Sequence, residues 1–171
     1  MPAPGAAAVL RVTGWGSFPM ANQKVEFPST QWFQALAARM NEQRAKYQNF
    51  GFVTARAVFR VTATAAGNRN FGLVFDGFEC LEVRELTDGE IAQFDPDWTM
   101  EGDYATWKEM VQNIKAHGEA DPDHTLNRLC LLGHPFRVHG EDQTRVDVFY
   151  RQLFSFQAFI DESAAVETSF A

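Results

Sequence analysis

The segment Leu131–Asp142, read Leu-Leu-Gly-His-Pro-Phe-Arg-Val-His-Gly-Glu-Asp, places His134, His139, Glu141 and Asp142 within nine residues. Imidazoles and carboxylates this close can hold a divalent metal or pass a proton. The spacing argues against a shared metal. His134 and His139 are five residues apart, and an odd separation on a strand sends side chains to opposite faces. Two such rings cannot meet one ion at the roughly 2.1 Å that zinc requires. Pro135 can distort the register beside His134, but a simpler reading accounts for the whole segment. Phe136 and Val138 face inward on a strand, Arg137 and His139 face outward, Gly140 makes a turn, and Asp142 caps the next helix.

The other reactive residue types do not assemble a site either. His117, Asp121, Asp123 and His124 lie in a loop containing Gly118 and Pro122. The loop lacks the His-x-x-x-His, Glu-x-x-His and calcium-loop patterns, so it reads as solvated. Gly14-Trp-Gly-Ser17 lacks the Gly-x-Ser-x-Gly order and the preceding strand of a nucleophile elbow. Gly72 and Gly77 are isolated, with no phosphate-binding or dinucleotide fingerprint around them. Cys80 and Cys130 sit in apolar segments, where burial makes thiols inert. They read as free core thiols of a reducing cytoplasm, with a disulfide as the alternative. No catalytic constellation, metal site or cofactor is expected.

Composition bounds the remaining classes. The chain has 171 residues, 46% of them hydrophobic, with 16 Phe and 4 Trp, enough for one domain with a large core. A formal charge of −7 and an isoelectric point near 5.0 disfavour nucleic acid as a partner. They also disfavour permanent docking on an anionic membrane, though not brief contact. No apolar run reaches the roughly 20 residues of a membrane span, so stable insertion is not expected. Ala6–Leu10 is too short for a secretion signal and has no basic flank.

Several elements must position these residues. Residues 1–27 read as an extension, in which Ala8–Thr13 could form a strand before Gly14, Gly16 and Pro19 break it. A single domain then runs from 28 to 171. Pro28-Ser-Thr30 opens a helix, with Trp32, Phe33, Leu36, Met40 and Tyr47 at helical spacing and Gly51 ending it. Val53–Thr64 alternates, with Val53, Ala55, Ala57, Phe59, Val61 and Ala63 on one side and Val58 as the exception. Phe71–Phe75 and Phe78–Leu86 flank Asp76-Gly77, a hairpin signal. The third of these strands mixes acidic and apolar residues at Glu79, Glu82 and Glu85, so its burial is ambiguous.

Two strand–helix units follow. Trp98–Glu101 reads as a strand, and Asp103 caps a helix striped by Tyr104, Trp107, Val111 and Ile114. His117-Gly118 ends that helix, and Leu126–Leu132 reads as a short helix or turn. Phe136–His139 then leads to a long helix carrying Val146, Phe149, Leu153, Phe156 and Ile160. The order predicts an α+β fold with one sheet covered on one face by helices. Tyr150, Phe154 and Phe159 widen the last helix's apolar stripe, so they should face a ligand tunnel, a partner subunit or the N-terminal extension, unless the core itself is broad.

Three stretches of this layout resemble the sterol carrier protein-2 family of lipid-binding domains. Pro28-Ser-Thr-Gln-Trp-Phe-Gln-Ala-Leu-Ala37 resembles its capped opening helix with a Trp anchor. Asp97–Lys108 resembles its strand–turn–helix, and Leu131–Asp142 its last strand. There His134-Pro135 stands in place of the usual Gly-Lys, Glu141 is inserted before Asp142, and the loop Lys115–Asn127 is longer. The resemblance spans residues 28–162 or so. It implies a mixed, mostly antiparallel five-stranded sheet covered on one face by helices, with an apolar tunnel between. It also implies non-covalent binding of a hydrophobic small molecule of the sterol, fatty acid or acyl-CoA class, without a catalytic motif or cofactor. By position the tunnel lining would comprise Trp107, Met110, Val111 and Ile114 with Phe149, Leu153, Phe156 and Ile160. An ordinary core would use the same residues. Two alternatives stay open: a small enzyme acting on a hydrophobic substrate in the same cavity, or an interaction subunit that forms a homodimer.

Overall fold

The structure is a computed structural model that describes residues 24–170; Ala8–Thr13 and Gly14–Ser17 lie outside them. Two sheets are present among the described residues: a five-stranded sheet and a two-stranded one. The first helix, α1 (Thr30–Glu42), starts where Ser29 adopts an extended conformation and accepts the Trp32 N–H, the expected cap. It breaks at Gln43 into a short α2 (Arg44–Gln48). The break still leaves Tyr47 buried with Trp32, Phe33, Leu36 and Met40.

Strands β2 (Val53–Thr64), β3 (Gly67–Gly77) and β4 (Glu79–Leu86) form the antiparallel meander. Here β1 denotes Val25–Phe27, described below. The hairpin at Asp76-Gly77 is present, with Gly77 at a φ of 69° that the turn needs. Strand β3 begins earlier than its apolar run, because Gly67-Asn-Arg-Asn pairs with the end of β2. Thr64 Oγ1 closes that second turn by accepting from the Ala66 amide and donating to the Gly67 carbonyl. Ala63 does not continue the buried side of β2. It is exposed at a φ of 56°, where the register shifts, and this bulge turns it off the face. The ambiguous strand β4 is a sheet edge, with Cys80 and Leu86 buried between exposed Glu82, Arg84 and Glu85. Asn41 of α1 covers part of that edge, exchanging two hydrogen bonds of 2.8 and 3.0 Å with the Cys80 backbone.

Strand β5 (Trp98–Asp103) pairs in parallel with β2, and β6 (Arg137–His139) pairs antiparallel with β5. The order β4-β3-β2-β5-β6 is therefore mixed and mostly antiparallel. Helix α4 (Tyr104–His117) follows β5 directly, capped by Asp103 and ended by Gly118 at a φ of 88°. Between β4 and β5, a capping box at Thr87 and Glu90 starts a turn into α3 (Ile91–Phe94). Periodicity gave no sign of this four-residue helix. It packs Phe94 and Ile91 against Val58, Leu86 and Val74 on the sheet's far side. That explains why Val58 breaks the alternation of β2.

The main core lies on the opposite face. Phe59 of β2 meets Phe33 of α1 at 5.4 Å, Trp98 of β5 at 5.5 Å and Trp107 of α4 at 6.1 Å between ring centroids. Gly102 allows Phe136 to enter this layer, because a Cβ there would fall 2.2 Å from the Phe136 ring and 3.2 Å from Trp107 Nε1. Gly102→Ala is therefore expected to lower the unfolding free energy by about 1–3 kcal/mol through overpacking, measurable by urea denaturation.

The last expected helix is two. After the short α5 (Leu126–Leu129) and β6, Asp142 caps α6 (Gln143–Arg151) by accepting the Thr144 N–H at 2.7 Å. The helical path breaks at Gln152 and resumes as α7 (Leu153–Asp161). An apolar pattern advancing by threes and fours is the same for one helix or for two in line, so periodicity could not reveal the break. A 3₁₀ turn (Glu162–Ala165) leads to β7 (Thr168–Phe170), which pairs in parallel with β1. This small sheet is joined to α1 by a 3.0 Å hydrogen bond from Trp32 Nε1 to Thr168 Oγ1.

Candidate functional site

The eight residues expected to line a tunnel lie in one layer between the five-stranded sheet and the helices. Trp107, Met110, Val111 and Ile114 on α4 are all buried, as are Phe149, Phe156 and Ile160 on α6 and α7. Leu153 is half-buried and packs against the same cluster. The centre of the layer is aromatic. Trp98 meets Phe149 at 5.0 Å and Phe156 at 4.8 Å, edge-on, while Phe149 and Phe156 stack 5.7 Å apart. Phe159 belongs to this layer rather than to a widened outer stripe, packing 5.2 Å from Phe75 and 6.3 Å from Phe59. Of the three extra aromatics, only Tyr150 and Phe154 are exposed, the latter at 77%.

The helix pair over this layer is fixed at its ends. At the start of α6, Arg145 donates to Asp97 Oδ1 and Asp95 Oδ1, each at 2.7 Å, and to the Asp95 carbonyl. Asp97 Oδ2 in turn accepts the Arg56 backbone amide, so α6 is tied to β2 through one carboxylate. Past the end of α7, Glu162 is only 4% exposed. Its carboxylate accepts from Arg39 Nε (3.1 Å), Gln43 Nε2 (2.8 Å), Lys46 Nζ (2.7 Å) and Tyr47 Oη (3.2 Å). Burial alone would raise its pKa, but the Lys46 hydrogen bond and charge, with Gln43 and Arg39, hold it below the ordinary value. Tyr47 shifts upward, through its own burial and then the Glu162 charge. The neighbouring Asp161 is raised by burial and accepts from Gln157 Nε2 and the Ala120 amide.

Among the described residues no ion pair holds the break between α6 and α7, although the Leu126 amide donates to Gln157 Oε1 of α7 at 2.7 Å. Gln152 sits at the helix break, and its buried Oε1 has no hydrogen-bond partner among the described residues. The same is true of Trp98 Nε1, Trp107 Nε1 and Ser155 Oγ in or beside the aromatic layer. Each buried polar atom left unpaired costs on the order of 1–3 kcal/mol. Sequence patterning could not find these atoms, because an indole or hydroxyl reads as apolar or small until its surroundings are known.

Beside α7 a cleft of about 400 Å³ opens between α2, α7 and the end of α4. Phe50 and Phe154 form apolar lips, and Arg39, Lys46, Glu119, Asp161 and Glu162 contribute charge. Spacing could not have assembled it, since its walls come from three separated segments.

The remaining reactive residues are placed as follows. Phe136 is buried and Val138 packs on the core, while Arg137 and His139 are exposed. In the 117–124 loop, Asp121 accepts from His124 Nδ1 at 2.6 Å and from Asn113 Nδ2 at 2.7 Å. The His124 bond first, then the Asn113 bond, pulls Asp121 down to about 2, while His124 is raised. The cluster thus fixes the loop to the end of α4. No group of three or more His, Cys, Asp or Glu among the described residues could hold a metal ion. Cys80 and Cys130 are free and buried, and burial pushes the Cys130 thiol up to about 12. No described helix is long and apolar enough to cross a membrane.

This α+β arrangement, a mixed five-stranded sheet with helices, matches the fold of sterol carrier protein 2. The chain superimposes on a crystal structure of sterol carrier protein 2 with a TM-score of 0.55 and 18% identity, covering 79% of this chain and 95% of that one. It matches equally well a conserved hypothetical protein from Thermus thermophilus, itself only suggested to be a sterol carrier protein. That solution structure gives a TM-score of 0.55 at 13% identity, over 82% of this chain and 90% of the other. No family model and no curated protein matches the sequence.

Proposed function

We propose that this protein binds and carries a hydrophobic small molecule, of the sterol, fatty acid or acyl-CoA class, without chemical turnover. The observation that carries the reading is the aromatic layer beneath a helix pair that is clamped at both ends and broken between them. Trp107, Met110, Val111 and Ile114 form one wall of the proposed site, and Phe149, Leu153, Phe156 and Ile160 the other. These side chains pack against one another, so an incoming ligand must displace α6 and α7, bending at Gln152, and replace ring–ring contacts with its own. The unpaired Trp98 Nε1 and Ser155 Oγ favour a ligand with a single polar group, because a buried donor gains most when its missing partner arrives. The proposed site lies in the domain expected over residues 28–171, to which β1 and its buried Phe27 also belong, and two buried unpaired thiols suit a reducing cytoplasm.

Two measurements test this. Organic extraction of the purified protein followed by mass spectrometry should recover a bound lipid. A fluorescent fatty acid should bind and be displaced by unlabelled lipid. An empty extract together with no fluorescent binding overturns the proposal.

A further inference from the structure

Phe154 of α7 is 77% exposed and stands with Phe50 at the lips of the cleft beside that helix. The charges within the cleft are unequally compensated. Arg39 and Lys46 are both paired with Glu162. Asp161 accepts from neutral donors, Gln157 Nε2 and the Ala120 amide. Neither Asp161 nor Glu119 forms an ion pair among the described residues, whereas the Glu162 carboxylate is fully engaged. The cleft therefore offers two exposed rings and two carboxylates that no cation contacts.

The first described residues lie beside it. The Val25 amide donates to the Glu167 carbonyl at 2.7 Å, and β1 runs parallel to β7. Traced backwards from Val25, the chain thus leaves alongside Glu167, only two residues from Ala165 in the cleft wall. Glu167 also pairs with Lys115 of α4 at 2.7 Å, and α4 ends at Gly118 and Glu119 on the same cleft. Two residues of chain span no more than about 7 Å, whereas the six from Lys24 back to Phe18 reach about 20 Å. The composition of that segment complements the cleft. In a chain of formal charge −7, residues 1–25 contain no Asp or Glu, carry Arg11 and Lys24, and hold Trp15 and Phe18.

We propose that the segment Arg11–Met20 docks in this cleft, placing Trp15 and Phe18 against Phe50 and Phe154 and Arg11 toward Glu119 and Asp161. Burial of exposed rings drives the contact, and the opposite charges fix its direction. A segment seated there lies across α7, the helix that must move if a ligand is to enter, and so acts as a strap on that movement. This consequence rests on the carrier reading; the docking itself does not.

Acrylamide quenching of tryptophan emission in the full chain tests the contact. Of the four tryptophans, Trp32, Trp98 and Trp107 are 0% exposed, and the fourth is Trp15. The difference between the parent and Trp15→Phe isolates the Trp15 signal. Trp15 should be shielded in the parent, and Phe154→Ser with Glu119→Lys should raise its quenching severalfold. Both substituted positions are exposed, and circular dichroism matching the parent's shows that the variant folds. Glu119→Lys alone should give a smaller rise in the same direction. Trp15 as quenchable in the parent as in the double variant overturns the proposal, and so does shielding that survives in that variant. Shielding that fades on dilution also overturns it, because the segment then sits on a second copy of the chain. Fluorescent fatty-acid uptake separates the docking from carriage. Trp15→Ser with Phe18→Ser should speed uptake, whereas a shielded Trp15 with no uptake by any variant removes carriage and leaves the docking standing.

Discussion

Phe156→Ala is expected to destabilise the protein by about 3–5 kcal/mol and to increase its uptake of a hydrophobic probe. Phe156 is 1% exposed and contacts three other rings, Trp98 at 4.8 Å, Phe75 at 5.5 Å and Phe149 at 5.7 Å. Removing it deletes those contacts and leaves a void whose walls are aromatic and already nearly dry. Such a void admits an apolar guest more readily than water. If these residues line a ligand site, the variant therefore binds a fluorescent fatty acid more tightly or faster than the parent, because less packing must be displaced. Urea denaturation reads the first effect and probe titration the second. A loss of stability with no gain in uptake would make Phe156 a core residue and nothing more.

Glu162→Ala should be the costliest change outside the aromatic layer, on the order of 3–5 kcal/mol. The carboxylate holds α1, α2 and the end of α7 together through four side-chain donors. Arg39 and Lys46 are partly exposed and can rehydrate once it is gone, which favours the lower end of that range. Tyr47 Oη is buried and cannot. The effect has a defined pH dependence. The folded-state pKa of Glu162 lies below its ordinary value of 4.5, so its stabilisation is fully present above about pH 4.5. It fades as the pH falls through the lower folded value. Denaturation of the parent and the variant at pH 7 and at pH 3 should therefore show a gap that narrows in acid. A gap independent of pH would mean that packing, rather than charge, sets the cost.

Much of the architecture was legible from local chemistry. Ser29, Asp103 and Asp142 cap helices as their types and positions suggested, and Asp76-Gly77 turns the hairpin. These features are readable because each depends on a few neighbouring residues. Two departures have the opposite cause. Val58 and Phe94 meet across the sheet's far face, and Phe159 on α7 finds Phe75 and Phe59 on the sheet. In both the partner is distant in sequence, and periodicity is silent about which face a neighbour will cover. Ala63 departs for a local reason, a bulge beside the turn into β3.

The same division holds for function. The sequence by itself determined an acidic, aromatic-rich α+β chain and a set of apolar residues on two helix stripes. Those outcomes follow from composition and from spacings of two, three and four residues. Only the tertiary structure decided that the second stripe is two helices broken at Gln152. The same holds for Glu162, which gathers its four donors from α1, α2 and the break between them, more than a hundred residues away. It is also true of Trp98 Nε1 and Ser155 Oγ, which are buried without partners among the described residues. Burial, charge compensation and hydrogen-bond satisfaction are sums over everything packed around a group. A linear pattern cannot contain them until the chain has brought its distant parts together.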